Sequence, residues 1–581
     1  MYSTAHTFHI PVMGTGFSID TPLKVAKYGI NSVISLVDDT LIEQMRKFHS
    51  EANNQEYTPI TKAVHDYRAK RITAYLNLID KLVKKQFEEL KQSAFETGTE
   101  ITKYFEMLPD FSNLKKSYLK MLATKNMAIR RSMQNKLREE IAPGSIDVNI
   151  MVKLDKDNCS FTGEKLPKEF SDALSAVRGF AKSKLNSAII LSAGFNRKLY
   201  SYLETLKEFY TDTKGELQKR IVLKVSDFRS AMTQGKFLAR KGLWVSEYRI
   251  ESGLNCGGHL FPSNGNLIGP ILEEFKTQRN NLLNTLKTTY TKALEIKKHL
   301  FPKKEINFDL TVQGGIGTNK EKKFLMDYYK VDKTGWCSPF LLVPEVTNVD
   351  DITLKKISEA SEKDITFSDA SPLGVEFSNL TNSLSELARQ KRNANGHPGS
   401  KCTKGHLCLN NEFGPKGLCT ASRQYYSLKE AKGFASEEER ELILKKSCIC
   451  NDLGASVLIK NKINTGPTQT PAICPGPNIA YFSNILTLNQ MIDHIYGRTD
   501  ILKDTKRPNM FIKEIFIHIE YFKKHLAKKI SNEIKEFEVF KENLLKSIDY
   551  YKKITKQMVF TNIDKNIMTD LLKCEEEIKN L

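Results

Sequence analysis

Short apolar runs rich in β-branched residues alternate along this chain with longer stretches in which apolar positions recur every three to four residues. The first pattern predicts buried strands and the second predicts helices, so their alternation predicts a parallel sheet built from βα units. Eight strands are expected: His9 to Phe17, Ser32 to Val37, Asp147 to Leu154, Ser187 to Gly194, Arg220 to Asp227, Val245 to Ser252, Asn307 to Gly315 and Gly335 to Glu345. Eight such units favour an α/β fold closed into a (β/α)8 TIM barrel over an open sheet.

Between the second and third strands, from about 58 to 140, a polar stretch keeps a helical period over too great a length for a simple connection. It predicts a helical insertion. The barrel with its insertion is expected over 1–380, a cysteine-rich segment over 381–480 and a helical C-terminal region over 481–581. Within the last, "IKEIFIHIEYFKKHLAKKI" and "FEVFKENLLKSIDYYKKI" are amphipathic and read either as a packed appendage or as the surface of a homodimer.

A chain of 581 residues exceeds what one core organises, so more than one structural unit is expected. With 40% hydrophobic and 27% charged residues the composition is that of a soluble protein. No apolar run reaches bilayer-spanning length and the N-terminus lacks a signal pattern, which predicts a cytoplasmic protein with no membrane partner. The net charge of +20 raises the question of nucleic acid. Lys+Arg and Asp+Glu are nearly balanced in the helical tail, however, so the basicity reads as a solvated surface and no nucleic-acid partner is expected.

Six of the ten cysteines fall between Cys402 and Cys474. Without a secretory signal, such clustering reads as metal ligation before disulfide formation. Cys402, Cys419, Cys448, Cys450 and Cys474 are the candidate ligands, and Cys408 is the first candidate for a bystander. An iron–sulfur cluster (4Fe-4S or 3Fe-4S), structural zinc and unliganded thiols all fit these donors.

Candidate chemistry gathers at the carboxyl ends of the expected strands, where a barrel carries its site. "IESGLNCGGHLF" puts Gly257 and Gly258 before His259, whose ordinary pKa suits proton transfer at neutral pH; a turn with an incidental histidine gives the same letters. Lys224 lies inside the fifth strand, where a lysine is costly unless paired, and Glu251 at the end of the sixth is a second acid–base candidate. Gly314, Gly315 and Gly317 after the seventh strand, with Gly335, Trp336, Cys337 and Ser338 at the eighth, fit the two loops that bind a phosphate in many barrels. Met13, Gly14 and Thr15 end the first strand.

The succession of these motifs resembles the flavin-dependent barrel family of nitronate monooxygenases and flavin-type enoyl-ACP reductases. The positions that carry the resemblance are Pro11 to Gly14 (one residue shorter than the pattern), Asn149, Gly257-Gly258-His259, Gly314-Gly315 and Gly335 onward, in the same order over roughly 8 to 345. The helical insertion is a departure. "VLKVSD" is also similar to a strand of the glutamate synthase flavin domain, which places an iron–sulfur cluster beside its barrel.

The resemblance implies FMN at the carboxyl end of the barrel, held by Met13, Gly14, Thr15, Asn149, Lys224 and the glycine loops. It implies His259 as the proton handler, Lys224 and Glu251 beside it, and an oxidoreductase acting on a small organic substrate. Electrons would come from a donor protein, through a cysteine-bound cluster, or from NAD(P)H. The alternative is a non-catalytic barrel scaffold with helical partner-binding surfaces and structural zinc.

Overall fold

The computed structural model describes residues 5–152, 155–159, 164–261, 264–464, 469–482, 484–503, 506–526, 534–557, 564 and 566–581. Eight parallel strands close into a barrel in sequence order. They are β1 Phe8–Ile10, β2 Asn31–Ser35, β3 Ile146–Ile150, β4 Ser187–Leu191, β5 Lys219–Val225, β6 Val245–Glu251, β7 Asp309–Gln313 and β8 Lys333–Gly335. Closure is made by β1 against β8, with Phe8 opposite Thr334 and His9 opposite Gly335.

The two-residue period of a strand sorts the side chains. Phe8, Ile10, Ile34, Val148, Ile189, Leu191, Ile221 and Leu223 join the main core under the surrounding helices. Val33, Ala188, Ile190 and Val222 alternate with them and form a separate apolar cluster, with Val12 packed against it. Charged side chains share the barrel strands with that cluster: Arg249 meets Glu247 at 2.5 Å and Asp147 at 3.8 Å, and Lys333 meets Asp309 at 2.8 Å.

Two strand expectations change. The first strand stops at Ile10, because Pro11 has no N–H to continue the ladder, and the chain to Phe17 is turn. The eighth is Lys333–Gly335, and the apolar run Ser338–Leu342 behind it, with Pro339 at its start, is a buried 3-10 helix. Residues 153 and 154, where the third strand was expected to end, lie outside the described residues.

Five helices lie between β2 and β3: Asp39–Ala52, and then Tyr67–Gln92, Glu100–Met107, Asn113–Ala123 and Met127–Glu140 in the region of the expected insertion. Tyr67–Gln92 packs along the helix Asp172–Ala181, where Thr73 Oγ1 donates to Gly179 O at 2.9 Å. A Cβ at Gly179 would lie 2.8 Å from Ile72, so this crossing needs the glycine. After β8, the antiparallel hairpin β9 Ile365–Ser368 and β10 Phe377–Leu380 bridges to the β6 loop at His259.

The C-terminal helices Met510–Leu526 and Ile534–Lys556 pack on the barrel. Gly269 N donates to Tyr551 Oη at 2.9 Å, and Ser252 Oγ donates to Glu514 at 2.7 Å. Among the described residues no helix is long and apolar enough to cross a membrane.

Candidate functional site

At the carboxyl end of the barrel β5, β6 and β7 bring three inward side chains together. Glu251 pairs in register with Gln313, and Lys224 lies on the neighbouring strand. Lys224 Nζ meets Glu251 Oε2 at 2.6 Å, and Gln313 Nε2 donates to Glu251 Oε1 at 2.8 Å. The lysine predicted to need a partner inside the strand has one. Gln313 is buried, and its side chain also lies within hydrogen-bonding reach of the His9 imidazole. Asn149, buried on β3, points into the same interior by its place in the strand.

Thiols surround this group. The Cys256 thiol lies close to Glu251 and faces Gln313 O at 3.9 Å; burial pushes its pKa well above the ordinary range. Cys337 faces Val12 O at 3.7 Å and Cys474 lies near it, and burial pushes both up to about 12. They are neutral thiols at neutral pH. A Cβ at Gly257 would lie 2.3 Å from Cys474 O, so the glycine lets the β6 loop pass beneath the Cys474 backbone. Ser338 Oγ accepts from Gly476 N at 2.8 Å, which fastens the β8 loop to the same segment.

His259 is placed differently. Its Nε2 lies 2.8 Å from Ser371 Oγ and its ring leans on Phe377, both contributed by the chain around the β9–β10 hairpin. Burial lowers its pKa to about 4, so it is neutral at pH 7. The contacts that unite Lys224, Glu251 and Gln313 do not include it.

The β7–β8 loop carries its own anion. Glu321, third residue of the helix Asn319–Asp327, accepts from Gly317 N at 2.8 Å and Thr318 N at 3.1 Å through Oε2. Its Oε1 meets Arg507 Nη1 at 2.7 Å, and Arg507 Nη2 donates to Gly315 O at 2.7 Å. A carboxylate and an arginine thus occupy the helix start where a phosphate is expected in such barrels. A Cβ at Gly315 would meet Asn255 and one at Gly317 would meet Arg507, so these two glycines make room for protein. Gly314, with φ +101°, sits against the Cys256 sulfur. Met13 is buried, with its N–H bonded to Ser18 Oγ at 3.0 Å, and Gly14 turns the chain ahead of Thr15 with φ +56°. Gly335 lies against His9 and Gln313, Trp336 is buried beside His494, and Gly258 O accepts from Ser378 N at 2.9 Å.

The cysteine-rich segment sorts into two places. Cys402 and Cys408 lie with sulfurs 3.6 Å apart, Cys419 is close to Cys402, and Cys448 and Cys450 are neighbours within reach of Cys402's charge. Cys474 lies instead at the barrel mouth. Among the described residues no group of three or more His, Cys, Asp or Glu side chains could hold a metal ion, so the expected iron–sulfur or zinc centre finds no support. Cys408, expected to be a bystander to any metal, touches Cys402 through its sulfur.

Between those two cysteines, Lys404 and His406 reach the barrel. Lys404 Nζ meets Asp38 Oδ2 at 2.5 Å, and His406 lies 3.3 Å from Asp38 and 3.8 Å from Asp172. Burial works against the charged imidazole, but Asp172 and Asp38 outweigh it and raise His406 to about 9. Asp38 also caps the helix that follows β2 through Leu41 N at 3.0 Å. Sequence reasoning missed Gln313, Glu321, Arg507, Asp38 and His406; Thr318 and Glu321 are spaced as a capping box, and that spacing was the one available signal.

No family model matches the chain, and no curated protein matches it. Solved structures similar to it include a FabK mutant from Thermotoga maritima, with 12% identity over 64% of this chain and 80% of that one at a TM-score of 0.31. Another is the enoyl reductase domain of MlnA from the macrolactin biosynthesis cluster of Bacillus amyloliquefaciens, with 13% identity over 74% and 89% at 0.31. A third is a nitroalkane oxidase from Streptomyces ansochromogenes, with 9% identity over 85% and 94% at 0.34. At these TM-scores the likenesses carry no argument about what this chain does.

Proposed function

We propose that this chain is an FMN-dependent oxidoreductase acting on a small organic substrate at the carboxyl end of its barrel. One observation carries the reading: the Lys224–Glu251 pair, 2.6 Å apart, bonded to the buried Gln313 amide at the carboxyl end of the barrel. The Lys224 cation and the Gln313 amide suit the polar edge of a flavin ring, with Asn149 inward on β3, and a bound flavin would supply two-electron transfer. The phosphate end fits less fully. Glu321 holds the N–H groups of Gly317 and Thr318, which leaves Gly314 and the Gly335 to Ser338 turn to meet a phosphate.

The chain's own residues divide the remaining work. Glu251 fixes the Lys224 ammonium, whose charge would stabilise an electron-rich ring. His259, neutral because it is desolvated, would take or deliver a proton. Electrons would come from NAD(P)H or a donor protein. The test is the absorbance spectrum of the full chain, desalted after incubation with FMN under anaerobic conditions. Two flavin bands that stay with the protein are expected, and a colourless protein after exposure to excess FMN overturns the reading.

The Glu321–Arg507 pair favours a second reading, a barrel that serves as a scaffold without flavin, because it fills the phosphate position with protein. The same spectrum separates the two.

A further inference from the structure

Lys404 and His406 are the anchors of a loop whose two ends are cysteines. The segment from Ser400 to Ser422 is closed by its own backbone: Ser400 N donates to Ala421 O at 3.0 Å, Arg423 N returns to Ser400 O at 3.0 Å, and Asn410 and Leu418 exchange both bonds. Gly405, with φ +75°, turns the chain so that Cys408 N reaches Gly405 O at 3.3 Å and the two sulfurs stand 3.6 Å apart. A disulfide bond is ~2.05 Å long, so the two sulfurs have only a short distance left to close. Cys402 is exposed, whereas Cys408 is half-buried.

We infer that Cys402 and Cys408 form a reversible dithiol–disulfide couple, held at the barrel's carboxyl face by Lys404 and His406 on Asp38. The oxidant is a low-molecular-weight disulfide of the glutathione class. Cys402, the exposed sulfur, attacks it as thiolate, its S–S bond breaks, and the first small thiol leaves with the Cys402 proton. Cys408 then attacks the Cys402 sulfur and expels the second small thiol, carrying the Cys408 proton. Two protein thiols are oxidised and one small disulfide is reduced. The order of attack follows from exposure: Cys402 is open to solvent and Cys408 is half-buried.

The couple stands apart from the flavin reading. Because the anchored loop holds the sulfurs together, releasing the anchor must shift the thiol–disulfide equilibrium. The full chain is equilibrated in glutathione buffers of graded ratio, quenched with an alkylating agent, digested with trypsin and measured by mass spectrometry. Trypsin cuts after Lys404, so the disulfide joins the peptide Cys402–Lys404 to Gly405–Lys416, and the pair falls apart on reduction. That linked pair is expected, with C408S stopping at a glutathione adduct on Cys402. H406Q and D38N are expected to shift the midpoint ratio about fivefold or more toward the dithiol. The inference is overturned if Cys402 remains alkylatable at every ratio, if it links to Cys419 instead, or if stoichiometric zinc copurifies and shields these thiols. It is equally overturned if both anchor variants titrate at the parent's midpoint.

Discussion

The carboxylate of Glu321 stands 2.7 Å from the guanidinium of Arg507, and both side chains are almost wholly buried. Through its other oxygen the same carboxylate caps its own helix at Gly317 and Thr318. The C-terminal region therefore reaches back to close the loop between β7 and β8.

Breaking this pair strands a buried charge. E321A is expected to cost about 3–5 kcal/mol of unfolding free energy, and E321Q less, because its amide oxygen still accepts from the loop N–H groups. Denaturant titration of the two variants checks the order, and an E321A protein as stable as the parent would remove the pair from the account.

Lys224 gives the flavin reading a sharper test. K224M is expected to weaken FMN binding about tenfold, or ~1.4 kcal/mol, in a fluorescence titration. E251Q keeps an acceptor for Gln313 and leaves the lysine in place, so its loss should be smaller. Equal affinity in all three proteins would place the cofactor elsewhere.

His406 makes stability depend on pH on the alkaline side. Its pKa is about 9 when folded against an ordinary 6.5, so the stabilisation is complete below pH 6.5 and is lost as pH rises through 9. The span corresponds to up to about 3 kcal/mol. Denaturation midpoints between pH 6 and 9.5 should fall in the parent and stay flatter in H406N.

His259 acts in the opposite sense. Burial holds it at about 4, so the unfolded chain takes up a proton before the folded one and stability falls as pH drops from 6.5 toward 4. H259N should lessen this acid-side loss. If the site also uses His259 for proton transfer, H259N should lower turnover while leaving FMN affinity within about twofold of the parent.

How much of this was legible in the chain can be judged from particular residues. Alternation of apolar positions located the centres of six strands and placed Lys224, Glu251 and Asn149 on barrel strands, because a strand buried on both faces must be apolar at nearly every step and each exception marks an interior polar site. The eighth was displaced, since Ser338–Leu342 is as apolar as a strand but begins at a proline and folds as a buried turn of helix.

What the sequence by itself determined was the order of strands and helices, because hydrophobic period and turn residues act over a few positions. Tertiary structure alone decided which distant groups meet: Lys404 with Asp38 across 366 residues, Arg507 with Glu321 across 186, and Cys474 with Cys337 at the barrel mouth. A buried charge needs some partner, but its own segment does not specify which; the closed barrel, by bringing strand ends and appended segments to one face, makes that choice.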